Sequence, residues 1–557
     1  MLAVATSVIA IGEWSTWQRS VQDQAGFSTG ADLRVNLPPA APLPADRVTT
    51  LTAAHGVTGA TPVIRATIAL PNSGTAQLLA LDARQATGVA AIRPDLAQGS
   101  PAALLRRLAP RGPLAGTPLA GRPARLLVTA RLSGALGTPL LTVTMADGFG
   151  IGYQAQAVPL PADGRPHTLT VPVAPRPGMA YPLRVTGFSL QYMMPKRRDG
   201  PAQLVVSALR GAPGTGPAGP PASLGPATER LKSFGNASPP GPFGLLRKPP
   251  VVTPAFLGHA GLTLDFTSGS GYGPPIHSCG QIPNRHPCGP PGSIPTIAAM
   301  TYAMPGAAVP AAVTRNFASA TGTHTGQTFP VIFQGATVNL RVVSVVPAFP
   351  TLTGPSGGVV VDQGLLQQAV NATGVAPASV TEWWLRGGPV TLPGLPQGTT
   401  VTSRAAVASA LLANPLGAAP QLAMLAIAAA AVLLAAGGFL VAAATARERA
   451  HDMALLASLG ATKRQLTRLL CLEQALVAIP AAAAGLLLGV LLARLVIPAV
   501  TITAGGRHPQ PPALIQVPVA VPVAVAVIMA VVPVLIAAAG GGPRVRVSAH
   551  TRAEAST

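Results

Sequence analysis

Charged residues are scarce in this 557-residue chain: only 10% are Asp, Glu, Lys or Arg, against roughly 25% in typical soluble domains. Aromatic residues make up 4%, and the three cysteines are too few for a disulfide scaffold or a four-cysteine zinc site. Apolar residues reach 48%, which excludes a fully disordered chain. The 61 prolines exclude a long coiled coil, and together with 60 glycines they favour turn-rich β structure.

The usual signs of nucleic-acid binding and of enzymatic chemistry are also missing. The net charge of +21 comes mostly from isolated Arg residues, so we expect no nucleic-acid partner. No G-x-x-x-x-G-K-[ST], H-E-x-x-H or C-x-x-C motif occurs. Residues Gly354–Gly358 formally match G-x-S-x-G, but a strand follows where a nucleophile elbow needs a helix, so we interpret them as a turn. We interpret Asp147, Asp163 and Asp199 as turn residues, and expect neither enzyme activity nor a bound cofactor.

Three apolar stretches lie near the C-terminus. Residues 421–446, 469–498 and 517–539 exceed the roughly 20 residues that a membrane-spanning helix requires. Residues 1–12 are apolar but too short to span, and Glu13 is the first charge after them. Trp14 and Trp17 lie where a helix would reach the membrane interface, so residues 1–14 are predicted to be a partial first span. The sequence thus predicts four spans, the first of them partial. This favours a chain that is a C-terminal half or an N-terminally truncated form.

The distribution of basic residues predicts the orientation of these spans. Lys and Arg are concentrated in residues 447–468 and in the tail, residues 540–557, so the positive-inside rule places both in the cytoplasm. The long region before residue 421 then lies outside the plasma membrane. We therefore expect a multi-pass plasma-membrane protein with a large extracytoplasmic domain.

That outer region is predicted to have four parts. Residues 15–120 mix strands with short helices, and residues 121–210 show successive strands at the regular spacing of a β-sandwich. Residues 211–255 are rich in Pro and Gly and are interpreted as a linker. Residues 256–420 return to α+β structure, with a helix at Gln363–Asn371. The predicted fold class is an α-helical transmembrane bundle with a large extracytoplasmic α+β and β-sandwich domain.

Two of the cysteines, Cys279 and Cys288, enclose a short loop of the outer region. In an oxidising compartment such a pair favours a disulfide. Metal binding together with His277 and His286 stays open as the alternative, because two Cys and two His lie close in the sequence.

The segment between the second and third spans has the pattern helix, break, helix. Three apolar residues recur at helical spacing on one face of its first part: Met453, Leu456 and Leu459. Gly460 follows as the favoured residue just past a helix end, and Thr462 then begins a T-x-x-Q capping box. Such a short amphipathic helix either lies on lipid or docks on a cytoplasmic partner.

This segment resembles the coupling region of FtsX-like permeases, the MacB-type class of ABC transporter membrane subunits. That region has an Arg/Glu-rich start, an apolar Leu-x-x-Leu-Gly-Ala-[Thr/Ser] and a Glu a few residues into the next span. The matching residues here are Arg447, Glu448, Leu456, Leu459, Gly460, Ala461, Thr462, Arg464 and Glu473. Residues 23–35 and Thr381-Glu-Trp-Trp-Leu also resemble large actinobacterial-style members, whereas the partial first span departs from the family pattern.

The resemblance implies an ABC ATP-binding subunit that binds ATP and docks on residues 447–464, and a homo- or heterodimeric permease in membrane lipid. The implied function is to transmit ATP-driven motion to the outer domain, for export or extraction of a lipid, lipoprotein or peptide. The alternative is a membrane-anchored envelope glycan-binding or adhesion protein without transport activity.

Two features lie within the third span. Gly485 and Gly489 form a G-x-x-x-G spacing, which permits close approach of another helix. Glu473 is costly in lipid, so we expect its carboxylate to face protein or the cytoplasmic interface.

Overall fold

A computed structural model describes the protein outside residues 39–50, 52–53, 71–73, 174–179, 215, 225–230, 240–243, 276–290, 303–307, 374, 376, 389–391, 393–394, 396, 449–461, 501–502, 504–507, 519 and 541–557. The chain divides into two compact units. One comprises Gly26–Arg404 and is called the outer unit, after the region that the sequence predicts outside the membrane; the other, the helical unit, comprises Met1–Ala25 with Ala405–Thr557.

The helices in the described residues are α1 Leu2–Thr29, α2 Pro101–Leu108, α3 Arg315–Thr321, α4 Gln363–Asn371, α5 Arg404–Leu412, α6 Pro415–Glu448, α7 Lys463–Val500 and α8 Ala520–Gly540. The strands are β1 Leu33–Asn36, β2 Val57–Ala69, β3 Thr75–Leu81, β4 Thr117–Pro118, β5 Arg125–Ser133, β6 Leu140–Ala146, β7 Gly152–Gln154, β8 Val158–Pro159, β9 Asp163–Pro172, β10 Arg184–Met193, β11 Pro201–Ala212, β12 Leu231–Ala237, β13 Leu245–Lys248, β14 Val251–Val252, β15 Phe256–Gly258, β16 Gly261–Thr267, β17 Ser270–Pro275, β18 Pro291–Gly292, β19 Pro295–Tyr302, β20 Val309–Thr314, β21 Thr328–Phe333, β22 Ala336–Val346, β23 Gly358–Asp362, β24 Glu382–Gly387 and β25 Thr400–Ser403.

One large sheet of the outer unit draws its strands from both ends of that unit. In the described part of the chain its order is β21-β22-β20-β23-β3-β2-β24-β1-β25, with parallel pairs at β20–β22 and β23–β3. Strand β24 lies inside the sheet, third from one edge. It is covered on both faces, because its adjacent Trp383 and Trp384 point in opposite directions and are both fully buried. The two α+β segments that the sequence separates, residues 15–120 and 256–420, thus contribute to one sheet.

A β-sandwich is inserted between β3 and β20. One sheet has the order β12-β19-β10-β6-β7 with β4 and β8 beside it, and the other has the order β14-β16-β11-β5-β9 with β15 beside it. In β5 the buried residues alternate with exposed or half-buried ones, so every second side chain enters the core between the sheets. The five strands predicted within residues 121–210 are all present, as β5, β6, β9, β10 and β11.

The predicted linker, residues 211–255, is wrong as a description of this segment. Its described residues include β12, which pairs with β19 over its whole length, as well as β13 and β14. Residues 225–230 and 240–243 lie outside the described part. Prolines and glycines flank these short strands, so the composition of the segment indicated a linker. Strand β12 is nevertheless the edge strand of the first sandwich sheet.

The predicted helix at Gln363–Asn371 is confirmed as α4. Asp362 caps it by accepting a hydrogen bond from the Leu365 N–H at 3.0 Å. The preceding Gly354–Gly358 segment is confirmed as a turn, closed by the Gly357 N–H donating to Gly354 O at 2.9 Å. Gly357 has φ +60°, and a Cβ there would lie 2.0 Å from Thr314 Oγ1, so only glycine fits.

An ion pair lies next to the buried tryptophans of the large sheet. Arg65 Nε donates to Glu382 Oε1, and Arg65 Nη2 donates to Glu382 Oε2 at 3.3 Å. Arg65 also donates to Gln77 Oε1 at 2.8 Å and to Thr351 Oγ1 at 2.7 Å. The Trp384 Nε1–H donates to Glu382 Oε2 at 3.1 Å. The side chain of Glu382 is 7% exposed and that of Arg65 is 20% exposed. Water therefore reaches these charges only in part, and each charge is stabilised by the other.

We therefore expect Glu382→Gln to lower the free energy of unfolding of the outer unit by about 3 kcal/mol, because it leaves Arg65 without a counter-charge. Denaturant unfolding followed by tryptophan fluorescence measures this change. Asp95→Asn is the control, because Asp95 pairs with Arg93 but is 42% exposed, and such pairs contribute at most about 1 kcal/mol. Equal, small losses in the two variants would contradict the role assigned to Glu382.

Candidate functional site

The residues that the sequence assigns to ATPase coupling lie at the junction of α6 and α7. The backbone of α6 extends through Arg447 and Glu448. Thr462 and Arg464 are described and exposed at the start of α7. The other five coupling residues, Met453, Leu456, Leu459, Gly460 and Ala461, lie outside the described residues. The apolar face that they form in the sequence therefore stays a prediction.

Thr462 begins α7 in a variant of the predicted capping box. Gln465 Oε1 accepts a hydrogen bond from the Thr462 N–H at 2.9 Å, which is the bond expected of the glutamine side chain. The Thr462 hydroxyl donates to the same Gln465 oxygen at 3.0 Å. The N–H groups of Gln465 and Leu466 are satisfied by Thr462 O. These bonds fix the first turn of α7 where the chain leaves the coupling segment.

Helix α1 packs closely on α7 at the two glycines of the G-x-x-x-G spacing. A Cβ on Gly485 would lie 3.1 Å from Val4 Cβ, and one on Gly489 would lie 2.8 Å from Val8 Cβ and 3.0 Å from Ala5 Cα. These distances are shorter than ordinary side-chain contacts. The two helix backbones can therefore come this close only because the glycines have no side chains. The first residues of the chain thus take part in the helical unit.

A polar layer joins α1 to α6 and to the segment before α8. Glu13 and Gln421 are each 1% exposed, and the side-chain amide of Gln421 lies 3.5 Å from Glu13 Oε1. Thr16 Oγ1 accepts a hydrogen bond from the Gln516 N–H at 3.0 Å. Sequence reasoning identified Glu13 only as the first charge after an apolar run, because its neighbour lies 408 positions away. Glu473 lies on α7 and is exposed in the single chain, so its predicted orientation stays a prediction.

In the outer unit, Asp147 organises a turn. Its carboxylate accepts hydrogen bonds from the N–H groups of Phe149 and Ile151 at 2.9 Å and from the Tyr153 hydroxyl at 3.1 Å. Burial raises the pKa of Asp147 to about 7, although these hydrogen bonds act in the opposite direction. The interpretation of Asp147 as a turn residue is confirmed by the Gly150 N–H, which donates to Asp147 O at 2.9 Å.

The residues of the disulfide and metal alternatives lie outside the described part of the chain: Cys279, Cys288, His277 and His286. Both alternatives therefore stay predictions. Within the described residues, no group of three or more His, Cys, Asp or Glu side chains is arranged to hold a metal ion.

Among the described residues, two helices are long and apolar enough to cross a membrane, at Pro415–Val441 and Arg464–Pro498. The apolar part of α8, Ala520–Ile536, is shorter than a full span. Together with the adjacent β-rich outer unit, these helices indicate a transmembrane protein with a large folded region outside its spans.

Residues 424–541 match the model of the FtsX-like permease C-terminal family. The match covers about a fifth of the chain and includes most of α6 and all of α7 and α8. It confirms the resemblance to FtsX-like permeases, and together with the two apolar helices it supports a transmembrane permease, a class that generally partners with ABC ATPases. No curated protein matches the chain.

The contact of α1 with α7 can be tested by adding volume at Gly489. We expect Gly489→Leu to force α1 away, because the new side chain would overlap Val8 and Ala5, and overpacking of this kind costs about 1–3 kcal/mol. The temperature at which the purified protein aggregates should fall. Gly437→Leu in α6 is the matched control, since a Cβ there meets nothing within 4 Å. An equal effect of both substitutions would contradict the contact.

Proposed function

We propose that the chain is the permease subunit of a MacB-type ABC transporter, in which a separate ATPase docks on residues 447–464. The family match is the observation that carries this proposal, because it covers α6 to α8 and the coupling segment between them. The excess of Lys and Arg in residues 447–468 supports a cytoplasmic position for that segment. The outer unit is then extracytoplasmic, in a multi-pass protein of the plasma membrane.

The connections between the two units support a transmitting role. Helix α1 ends at Thr29 and β1 begins at Leu33, while β25 ends at Ser403 and α5 begins directly at Arg404. Trp17, Val21 and Ala25 of α1 form a buried cluster with Ala408 of α5. A movement of these helices would therefore reach the large sheet through two short covalent connections.

The remaining parts of the proposal follow from the family resemblance. ATP is bound and hydrolysed by the partner subunit, and the permease is a dimer of identical or related chains. The transported molecule is a lipid, lipoprotein or peptide that the outer unit exports or extracts from the membrane. The chain itself is neither an enzyme nor a cofactor-binding protein.

The coupling segment is tested with two substitutions in a complex reconstituted with the ABC ATP-binding subunit of the proposed transporter. Leu456→Asp places a charge in the predicted apolar contact, and should weaken association with the ATPase by orders of magnitude, because burying an unpaired charge costs several kcal/mol. Gly460→Pro should leave association intact but abolish permease-stimulated ATP hydrolysis, because it changes the angle between the short helix and α7. Co-purification and ATPase rates are measured at matched expression.

The controls are Val545→Asp and Gly541→Pro, which make the same changes in the other predicted cytoplasmic segment, the C-terminal tail. Both should retain association and stimulation. A helix that only rests on lipid would also be damaged by Leu456→Asp, so Gly460→Pro is the decisive variant. Unchanged stimulation in both coupling variants would reject the proposal and favour the membrane-anchored binding protein.

A further inference from the structure

A groove runs across the outer face of the sandwich sheet β12-β19-β10-β6-β7. Strand register places Gln154, Thr144, Gly187 and Thr301 in one row across four strands on this face. Gly187 has no side chain, and the next row contains the small Ser189 and Ala299. The middle of this face of the sheet therefore forms a depression, and longer side chains project on either side of it. The groove follows directly from this order of small and large residues.

Neutral polar side chains and one aromatic ring form the walls of the groove. Gln154 stands at one end, Gln191 lies on β10, and Phe234 lies on the edge strand β12. Asn371, at the end of α4, and Pro377 close the groove from the large-sheet side. None of the described residues that line it is charged, and the nearest charge in its row is the exposed Lys232 of β12, which pairs with Thr301.

The floor of the groove also contains a hydroxyl group whose hydrogen-bonding capacity is unused. Thr301 is 5% exposed, and its Oγ1 has no hydrogen-bond partner among the described residues. A buried polar atom without a partner costs free energy, which a ligand in the groove would recover if the Thr301 side chain rotated to present its hydroxyl to the groove. The backbone groups of β6, β10 and β19 are already used in the sheet, so a ligand must be recognised by side chains.

We propose that this groove binds a neutral saccharide. A sugar ring offers vicinal hydroxyls to the exposed side-chain amides of Gln154 and Gln191, and an apolar C–H face to Phe234 and Pro377. This inference does not depend on the transport role and would hold for a chain that only binds envelope material.

Other ligand classes fit the groove less well. An anionic ligand would find no opposite charge in the lining, and only the exposed Lys232 beside it on the edge strand β12. A lipid chain would bury amides and hydroxyls without giving them partners, at a cost of about 1–3 kcal/mol for each group. An extended peptide adds to a sheet through a free strand edge, whereas this groove lies on the face above paired strands.

The test uses the full chain in phosphatidylcholine nanodiscs, prepared without sugar-headed detergents. Titration calorimetry is performed with neutral hexasaccharides of glucose, mannose, galactose and N-acetylglucosamine, with each monosaccharide, and with an anionic hexagalacturonate. We expect saturable binding of at least one neutral sugar. Gln191→Ala and Phe234→Ala should each weaken that binding about tenfold, the loss expected for about 1.4 kcal/mol. Tighter binding of the hexasaccharide indicates a polysaccharide chain, and equal affinity of the monosaccharide indicates a single sugar; both support the proposal.

Matched controls lie on the other sheet of the sandwich. Gln203 on β11 and the 51% exposed Phe256 on β15 carry the same side chains away from the groove, so Gln203→Ala and Phe256→Ala should leave binding unchanged. Thermal unfolding verifies that every variant is folded. The proposal is overturned if no neutral sugar binds at millimolar concentration, if the control substitutions weaken binding equally, or if hexagalacturonate binds as tightly as the neutral sugars.

Discussion

The antiparallel pairing of β1 with β25 is the contact on which the outer unit depends. It joins Leu33 to Ser403 and Asn36 to Thr400, and Asn36 Nδ2 donates to Thr400 Oγ1 at 3.1 Å across 364 positions of sequence. Closing so long a loop costs conformational entropy, which burial of the neighbouring β24 with its two tryptophans helps to offset. Because β1 and β25 lie at the two ends of the unit and pair with each other, all other strands of the unit lie, in the sequence, between two strands that are adjacent in the sheet.

This arrangement is consistent with the proposal that the permease transmits motion from its helices to the large sheet. The chain continues within a few residues from β1 and from β25 into a helix, so two short covalent connections join the sheet to the helices. The sandwich is inserted farther along the chain, between β3 and β20, and presents its groove on the face of one sheet. In this account the large sheet receives motion from the helices, whereas the sandwich contacts material outside the membrane.

Local patterns were sufficient for much of the fold. The alternation in β5 and the apolar spacing of α4 are complete within one element, so the sandwich strands and the helix at Gln363–Asn371 could be predicted. Long-range pairing leaves no such local trace, which is why residues 15–120 and 256–420 were separated and β12 was missed. The Glu13–Gln421 contact escaped for the same reason. The coupling residues were predicted from helical spacing, a capping pattern and resemblance to a family motif, and their role stays a prediction.

The central claim is that the outer unit and residues 447–468 lie on opposite sides of a membrane. Single cysteines at Ser223 and Ser458, in a background without the three native cysteines, test it by labelling intact cells with a membrane-impermeant maleimide. Ser223 is exposed in the outer unit, so Ser223→Cys should react, whereas Ser458→Cys should react only after permeabilisation. Labelling of Ser458→Cys in intact cells, with protection of Ser223→Cys, would contradict the account.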